Sequence, residues 1–223
     1  MRTKTLLLSA AALAAGVATS MAANVYSVNV VGYVNVNVAS GYNLISNPLD
    51  VDGVDNVLTV MPVVADGTVL LPWLTSGSFD SPIQYIAAGN GWYDTGFNPA
   101  TNNIPPGSSF FIQSPSAGTI TFVGTVVQGT NHQSVTPGYN FLASVPPIAS
   151  DLDTNGFPAQ DGMTYTTFAA GNYSAPIQYI AAGAGWYDTG FTQQFPTPAV
   201  AQGFVVFNPN PTTYAWTSTF TVQ

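Results

Sequence analysis

Residues 81–97 read SPIQYIAAGNGWYDTGF and residues 175–191 read APIQYIAAGAGWYDTGF; fifteen of the seventeen positions are identical. Within the stretch, IQYIAA and WYDTGF flank a Gly-X-Gly, which reads as a β-hairpin whose glycines supply the positive φ of the turn. Tyr85 and Ala87 share a face of its first strand, and Trp92 and Asp94 a face of its second. The turn chemistry decides for strands over helix, and its recurrence decides for two copies of one unit.

The match extends outward from the hairpin. VASGYNLISNP at 38–48 aligns with VTPGYNFLASVP at 135–146, and ADGT at 65–68 with QDGM at 160–163. PPGSSFFIQSP at 105–115 matches VAQGFVVFNPN at 200–210, and GTITFVGTVVQ at 118–128 matches TYAWTSTFTVQ at 213–223. Offsets stay within 94–97, which is the signature of a tandem duplication. Each unit reads as all-β, a sandwich or barrel-like domain of short strands between Gly, Pro, Asn and Asp clusters. The domains are expected at 23–130 and 131–223. A short helical turn is expected near Val54–Met61.

Alternation is clearest over 25–38, VYSVNVVGYVNVNV. Tyr26, Val28, Val30, Val34, Val36 and Val38 share one face, opposite Ser27, Asn29, Asn35 and Asn37. Gly32 suggests a bulge or bend there. This strand resembles FVGTVVQG at 122–129, and AWTSTFTVQ closes the second unit in the same way. Three end-type strands are therefore expected for two units. The first closes its own unit by default, and donation of Tyr26, Val28, Val30, Val34 and Val36 to a neighbouring copy is the alternative.

The N-terminus has the form of an export signal over 1–22. MRTK is basic, TLLLSAAALAAGVA is apolar and shorter than the roughly 20 residues of a membrane span, and Ser20 and Ala22 are small. The expected location is secreted: extracellular, cell surface or periplasm of a Gram-negative bacterium. Arg2 and Lys4 are the only basic side chains apart from His132, and all ten acids are Asp, so the chain beyond the signal carries 0 − 10 = −10. Nothing in it could neutralise nucleic-acid phosphates or an anionic membrane surface. With no Cys, stability must come from the core.

Four site readings follow. Asp94-Thr95-Gly96 and Asp188-Thr189-Gly190 repeat the tripeptide that aspartic proteases take from two lobes to share one proton. Phe97 and Phe191 replace the small residue that follows it there, and no hydrophobic-hydrophobic-Gly segment follows at that family's spacing, so an enzyme is not expected. Trp92, Tyr93, Trp186 and Tyr187 are candidates for a sugar platform, although one of each adjacent pair should point into the core. Asp151, Asp153 and Asn155, with Asp161 beyond, resemble the start of a structural calcium loop, with Asp-rich turns as the competing reading. His132, in GTNHQS, reads as a solvated residue between repeats without a counterpart. No cofactor is expected otherwise.

GYNLISNP, the Gly-Trp hairpin, PPGSSFFIQSP and TFVGTVVQG together resemble a tandem β-repeat module of exported proteins from Verrucomicrobia-type bacteria. Ser108–Ser109 depart from its pattern, where glycine is usual beside the aromatic pair. The resemblance implies an exported β-fold and assigns no chemistry. The reading is of a non-enzymatic structural or adhesive component of the cell envelope or extracellular matrix. A carbohydrate-binding protein comes second and an aspartic-protease-like enzyme third; the partners expected are a further copy or a polysaccharide.

Overall fold

A computed structural model describes residues 30–51, 53–74 and 76–222. The expected export signal over 1–22, Tyr26 and Val28 lie outside the described residues, as does Asp52. All described elements belong to one compact unit and form two similar halves of antiparallel strands.

The first half contains β1 (Val31–Val38), β2 (Gly41–Ser46), α1 (Val57–Val60), β3 (Val69–Leu74), β4 (Ser78–Phe79), β5 (Ile83–Ile86), β6 (Gly91–Tyr93), β7 (Ser109–Ser114) and β8 (Gly118–Thr125). The second half contains β9 (Gly129–Val135), β10 (Gly138–Leu142), β11 (Thr164–Ala169), β12 (Asn172–Tyr173), β13 (Ile177–Ile180), β14 (Gly185–Tyr187), β15 (Gln193–Gln194), β16 (Phe204–Asn208) and β17 (Tyr214–Phe220). The large sheets run β2-β7-β3-β5-β6 and β10-β16-β11-β13-β14-β15, and each half adds a ribbon, β1-β8 or β9-β17.

The alternation of β1 holds in space: Val34 and Val36 are half-buried, Val38 is buried, and Asn35 and Asn37 are exposed. The strand pairs with β8 of its own chain without interruption from Val31↔Thr125 to Val38↔Gly118, so Gly32 marks no bulge. Close approach explains it instead. A Cβ on Gly32 would sit 2.6 Å from Leu49 Cδ2, and one on its partner Gly124 would sit 2.5 Å from the Asp50 carbonyl oxygen. Asp50 lies alongside, exchanging backbone hydrogen bonds of 2.9 and 2.8 Å with Thr125.

The second half has a first strand of its own, which overturns the linker reading of GTNHQS and the count of three end strands. β9 pairs with β17 from Gly129↔Phe220 to Val135↔Tyr214. Its half-buried positions carry Asn131 and Gln133 where β1 carries Val34 and Val36, so the hydrophobic alternation is missing. His132 has a counterpart in Asn35. Its Nδ1 lies 3.0 Å from Thr217 Oγ1, as Asn35 Oδ1 accepts from Thr121 Oγ1 at 2.7 Å.

The recurring Gly-Tyr-Asn turns the chain from ribbon into sheet. Gly41 and Gly138 have φ of 92° and 88°. Asn43 Oδ1 accepts from Ala39 N while its Nδ2 donates to the carbonyls of Ala39 and Gly41. Asn140 repeats all three bonds with Thr136 and Gly138. Inside the second half, Trp216 of the ribbon packs on Phe157 and Phe204 of the sheet side, with ring centroids 5.3 and 6.1 Å apart. That core continues through Val135, Leu152, Met163, Tyr165, Trp186 and Val206.

The halves meet about a local twofold. Asn43 pairs with Ile112 and Asn140 with Val206, so Phe111 is the counterpart of Val205, one residue off the alignment read from sequence. Ser46 N donates to Ala201 O at 3.0 Å, and the equivalent Ala143 N donates to Gly107 O at 2.9 Å. Single bridges join Ile45 to Gln202 and Leu142 to Ser108 in the same reciprocal way. Such exchange, each half meeting the other through the same patch, is the geometry of an isologous dimer interface held within one chain. Leu44, Phe111, Phe141 and Val205 form its buried centre.

Candidate functional site

The repeated hairpin forms as expected, with Tyr85 opposite Trp92 and Tyr179 opposite Trp186. Its turn differs from the expectation. Positive φ falls on Asn90 (50°) and Ala184 (48°), not on the glycines. Gly89 and Gly183 are needed for a different reason: a Cβ there would lie 2.5 and 2.7 Å from the hydroxyls of Tyr93 and Tyr187. Those hydroxyls donate back to the Gly89 and Gly183 carbonyls at 2.9 and 3.0 Å.

The indoles of the platform candidates lie in the core. Trp92 is 2% exposed and Trp186 0%, so neither ring offers a free face. Trp92 Nε1 donates to Met61 O at 2.9 Å, and Trp186 Nε1 to Asp153 Oδ1 at 3.0 Å. Tyr93 and Tyr187 are half-buried and occupied with their own turns.

Asp94 and Asp188 are turn acceptors, each within its own half. Asp94 Oδ1 takes the N–H groups of Gly96 and Asn98, both at 2.8 Å. Asp188 Oδ1 takes those of Gly190 and Thr192, both at 2.9 Å, and Gln194 Nε2 donates to its other oxygen. Backbone and side-chain bonds from Asn98 hold the Asp94 carboxyl below its usual range, a direction opposite to the raised member of a proton-sharing pair.

DLDTNG closes a turn. Asp151 Oδ1 accepts from Asp153 N at 2.7 Å, Asp153 Oδ1 receives the Trp186 indole, and Asn155 Nδ2 donates to Ser150 Oγ. Burial, more than the nearby Asp151 charge, raises Asp153, against the lowering bond from Trp186. Asn155 Oδ1 is buried without a partner. Asp161 is engaged elsewhere: it accepts from Ala181 N at 2.9 Å at the head of the hairpin turn, as Asp66 does from Ala87 N at 2.7 Å. Among the described residues no three His, Cys, Asp or Glu side chains are grouped to hold a metal ion.

The other acids behave alike. Asp50 receives Gly53 N, Asp80 receives Ser81 N, and Asp55 receives Val51 N with Asn47 Nδ2. Asp55 is raised, chiefly by burial, against the bond from Val51. All nine described aspartates therefore accept a hydrogen bond, eight of them from backbone N–H groups and Asp153 from the Trp186 indole.

Sequence reading passed over the aromatic cluster at the twofold, because Trp73, Phe79, Phe111, Phe141 and Phe168 are spread over five strands. Phe111 lies 4.9 Å from Phe168, 5.7 Å from Phe79 and 5.9 Å from Phe141 between ring centroids. Trp73 lies 4.8 Å from Phe79 and 4.3 Å from Phe141. Comparison with family models, curated proteins and solved structures finds no match for the chain. No helix among the described residues is long and apolar enough to cross a membrane.

Proposed function

We propose that this is an exported, non-catalytic protein serving as a structural or adhesive component of the cell envelope or extracellular matrix. The observation that carries the reading is the use made of the nine described aspartates: eight accept backbone N–H groups in turns and Asp153 accepts a core indole. Carboxylates committed in this way stabilise loops without lysine, arginine or disulfides. Neutral polar pairs on the ribbons add to it, Asn37 with Thr119 and Thr130 with Thr219. Val31, Tyr33 and Val123 leave an exposed apolar stripe on the first ribbon through which a neighbour could be held.

The test is expression with the leader in a Gram-negative host, followed by fractionation and negative-stain microscopy of the mature protein. The reading expects leader removal, recovery with envelope or medium, and assembly or surface attachment. An uncleaved cytoplasmic protein would overturn it. So would pepstatin-sensitive proteolysis that disappears in Asp94→Asn.

A further inference from the structure

The two faces that meet at the twofold match in backbone and differ in side chains. Across β2, β7 and β3 the first half presents Leu44, Phe111 and Leu71 in register. Across β10, β16 and β11 the second half presents Phe141, Val205 and Thr166. Phe111 fills its side with a ring that meets both halves. Val205 has no ring to place at the equivalent spot, and Phe141 lies against Trp73 instead. Phe111 therefore fills its own place in the interface, and the equivalent place at Val205 is open.

The opening is a cleft of about 470 Å³. Trp73, Phe79, Tyr139, Phe141 and Tyr173 supply five rings to it, and Thr166 and Ser174 add hydroxyls. Tyr139 and Tyr173 are 60% and 51% exposed, so the cleft is entered from solvent. Among the described residues no charged side chain lines it. Ser174 stands where the first half has Asp80, since each follows the aromatic residue of β12 or β4. Three replacements between halves, Phe111 by Val205, Leu71 by Thr166 and Asp80 by Ser174, thus remove bulk, add a hydroxyl and remove a charge at one place.

We propose that this cleft is a binding site for a neutral oligosaccharide, with pyranose faces on the rings and sugar hydroxyls on Tyr139, Tyr173, Thr166 and Ser174. The inference goes beyond the structural role and does not depend on it. A pyranose has apolar C–H faces and polar edges, which is the combination of surfaces the lining presents. A purely hydrocarbon ligand would cover the hydroxyls of Tyr139, Tyr173 and Thr166 without satisfying them, while Ser174 Oγ already accepts from Thr167 N at 3.0 Å and keeps its proton to donate. An extended peptide would need a free strand edge to pair with. β16 and β11, which carry Val205 and Thr166, are paired on both sides, and the edge strands β10 and β12 make a peptide the competing ligand that the experiment below decides.

The experiment titrates the mature protein with cellotetraose, xylotetraose and maltotetraose, following tryptophan emission and heat. Emission reports on the cleft because Trp92, Trp186 and Trp216 are buried at 2%, 0% and 1% exposure, whereas Trp73 lines it. At least one tetrasaccharide should give a saturable change. Val205→Phe restores the packing of the other half, so it should abolish binding with an unchanged or higher melting temperature. Tyr173→Ala, at an exposed ring, should weaken binding about tenfold or more and keeps the test open if Val205→Phe misfolds. The proposal is overturned if none of the three sugars gives a saturable change. It is equally overturned if folded Val205→Phe or Tyr173→Ala binds like wild type, or if a proline-rich peptide binds and the sugars do not.

Discussion

Replacing Phe111 by alanine should show whether the aromatic centre holds the two halves together. The side chain is buried, pairs across β7 with Leu44 and Leu71, and lies within 6.0 Å of the rings of Tyr42, Phe79, Phe141 and Phe168. A buried Phe→Ala change costs about 3–5 kcal/mol when the site cannot collapse. β2, β7 and β3 are held in register by ladders, so collapse should be limited. Against a total stability of about 5–15 kcal/mol this is a large share. Val205→Ala at the equivalent place removes two methyl-sized groups beside an open cleft, and should cost only about 1.5 kcal/mol. Guanidinium unfolding followed by tryptophan emission and by far-ultraviolet circular dichroism measures both. Wild type should unfold with coincident transitions, and Phe111→Ala should lower the midpoint or separate the two probes. A loss below about 1 kcal/mol for Phe111→Ala, or equal losses for the two variants, would refute the idea that this ring organises the interface.

The hairpin, the first ribbon and the carboxylates yield further expectations. Tyr187→Phe should cost about 0.5–1.5 kcal/mol through the lost bond to Gly183 O; Gly183→Ala, which brings a Cβ against that hydroxyl, should cost less in the Tyr187→Phe background than in wild type, and additive losses in a double-mutant cycle would refute this. Deleting residues 24–38 should strongly destabilise the protein, because Ile120 and Phe122 of β8 lose their cover and the strand its ladder; an unchanged melting temperature would contradict closure by β1. For the carboxylates the signs differ. Asp55 is raised by burial, so its contribution is full below the unfolded value of 3.8 and is lost as pH rises through the folded one. Asp94 is lowered by Asn98, so its contribution is present above 3.8 and is lost as pH falls through the folded one. The melting-temperature advantage of wild type over Asp55→Asn should therefore be greatest in acid, and that over Asp94→Asn greatest near neutrality. Slopes of the same sign in melts from about pH 3 to 7 would show that burial and hydrogen bonding have been assigned to the wrong groups.

Much of the fold can be read from local chemistry. Gly41 and Gly138 take positive φ that only glycine adopts cheaply, and the Asn two residues on closes the corner with three bonds, so Gly-Tyr-Asn carries its own structural reason. β9 is the element that could not be read this way. Its inward positions are polar: Asn131 Nδ2 donates to Gly129 O of its own strand and Gln133 Nε2 to Gly107 O across the interface at 2.8 Å, and no periodicity of hydrophobic residues records such bonds. The hairpin turn failed for a related cause. The glycines serve the returning Tyr93 and Tyr187 hydroxyls, and the left-handed residue is whichever one lies between, Asn90 or Ala184.

The candidate site was hidden for a more general reason. Identity between two repeats marks what both halves need in order to fold, which is why the seventeen-residue hairpin turns out to hold two core indoles and two turn-forming aspartates. A property that only one half has must lie where the halves differ. Those differences fall at Phe111 and Val205, Leu71 and Thr166, Asp80 and Ser174, and each pair looks like ordinary drift between strands when read along the chain. Only the register across β10, β16 and β11 places Val205 and Thr166 side by side, and only the twofold brings Trp73 and Phe79 of the other half over them. A duplicated β-unit that keeps its interface can vary one side of it at little cost to folding, because the other side still holds the halves through Phe111. In this chain the place left open at Val205 is lined by rings and hydroxyls without a charge, and that combination gives a ligand room and partners there.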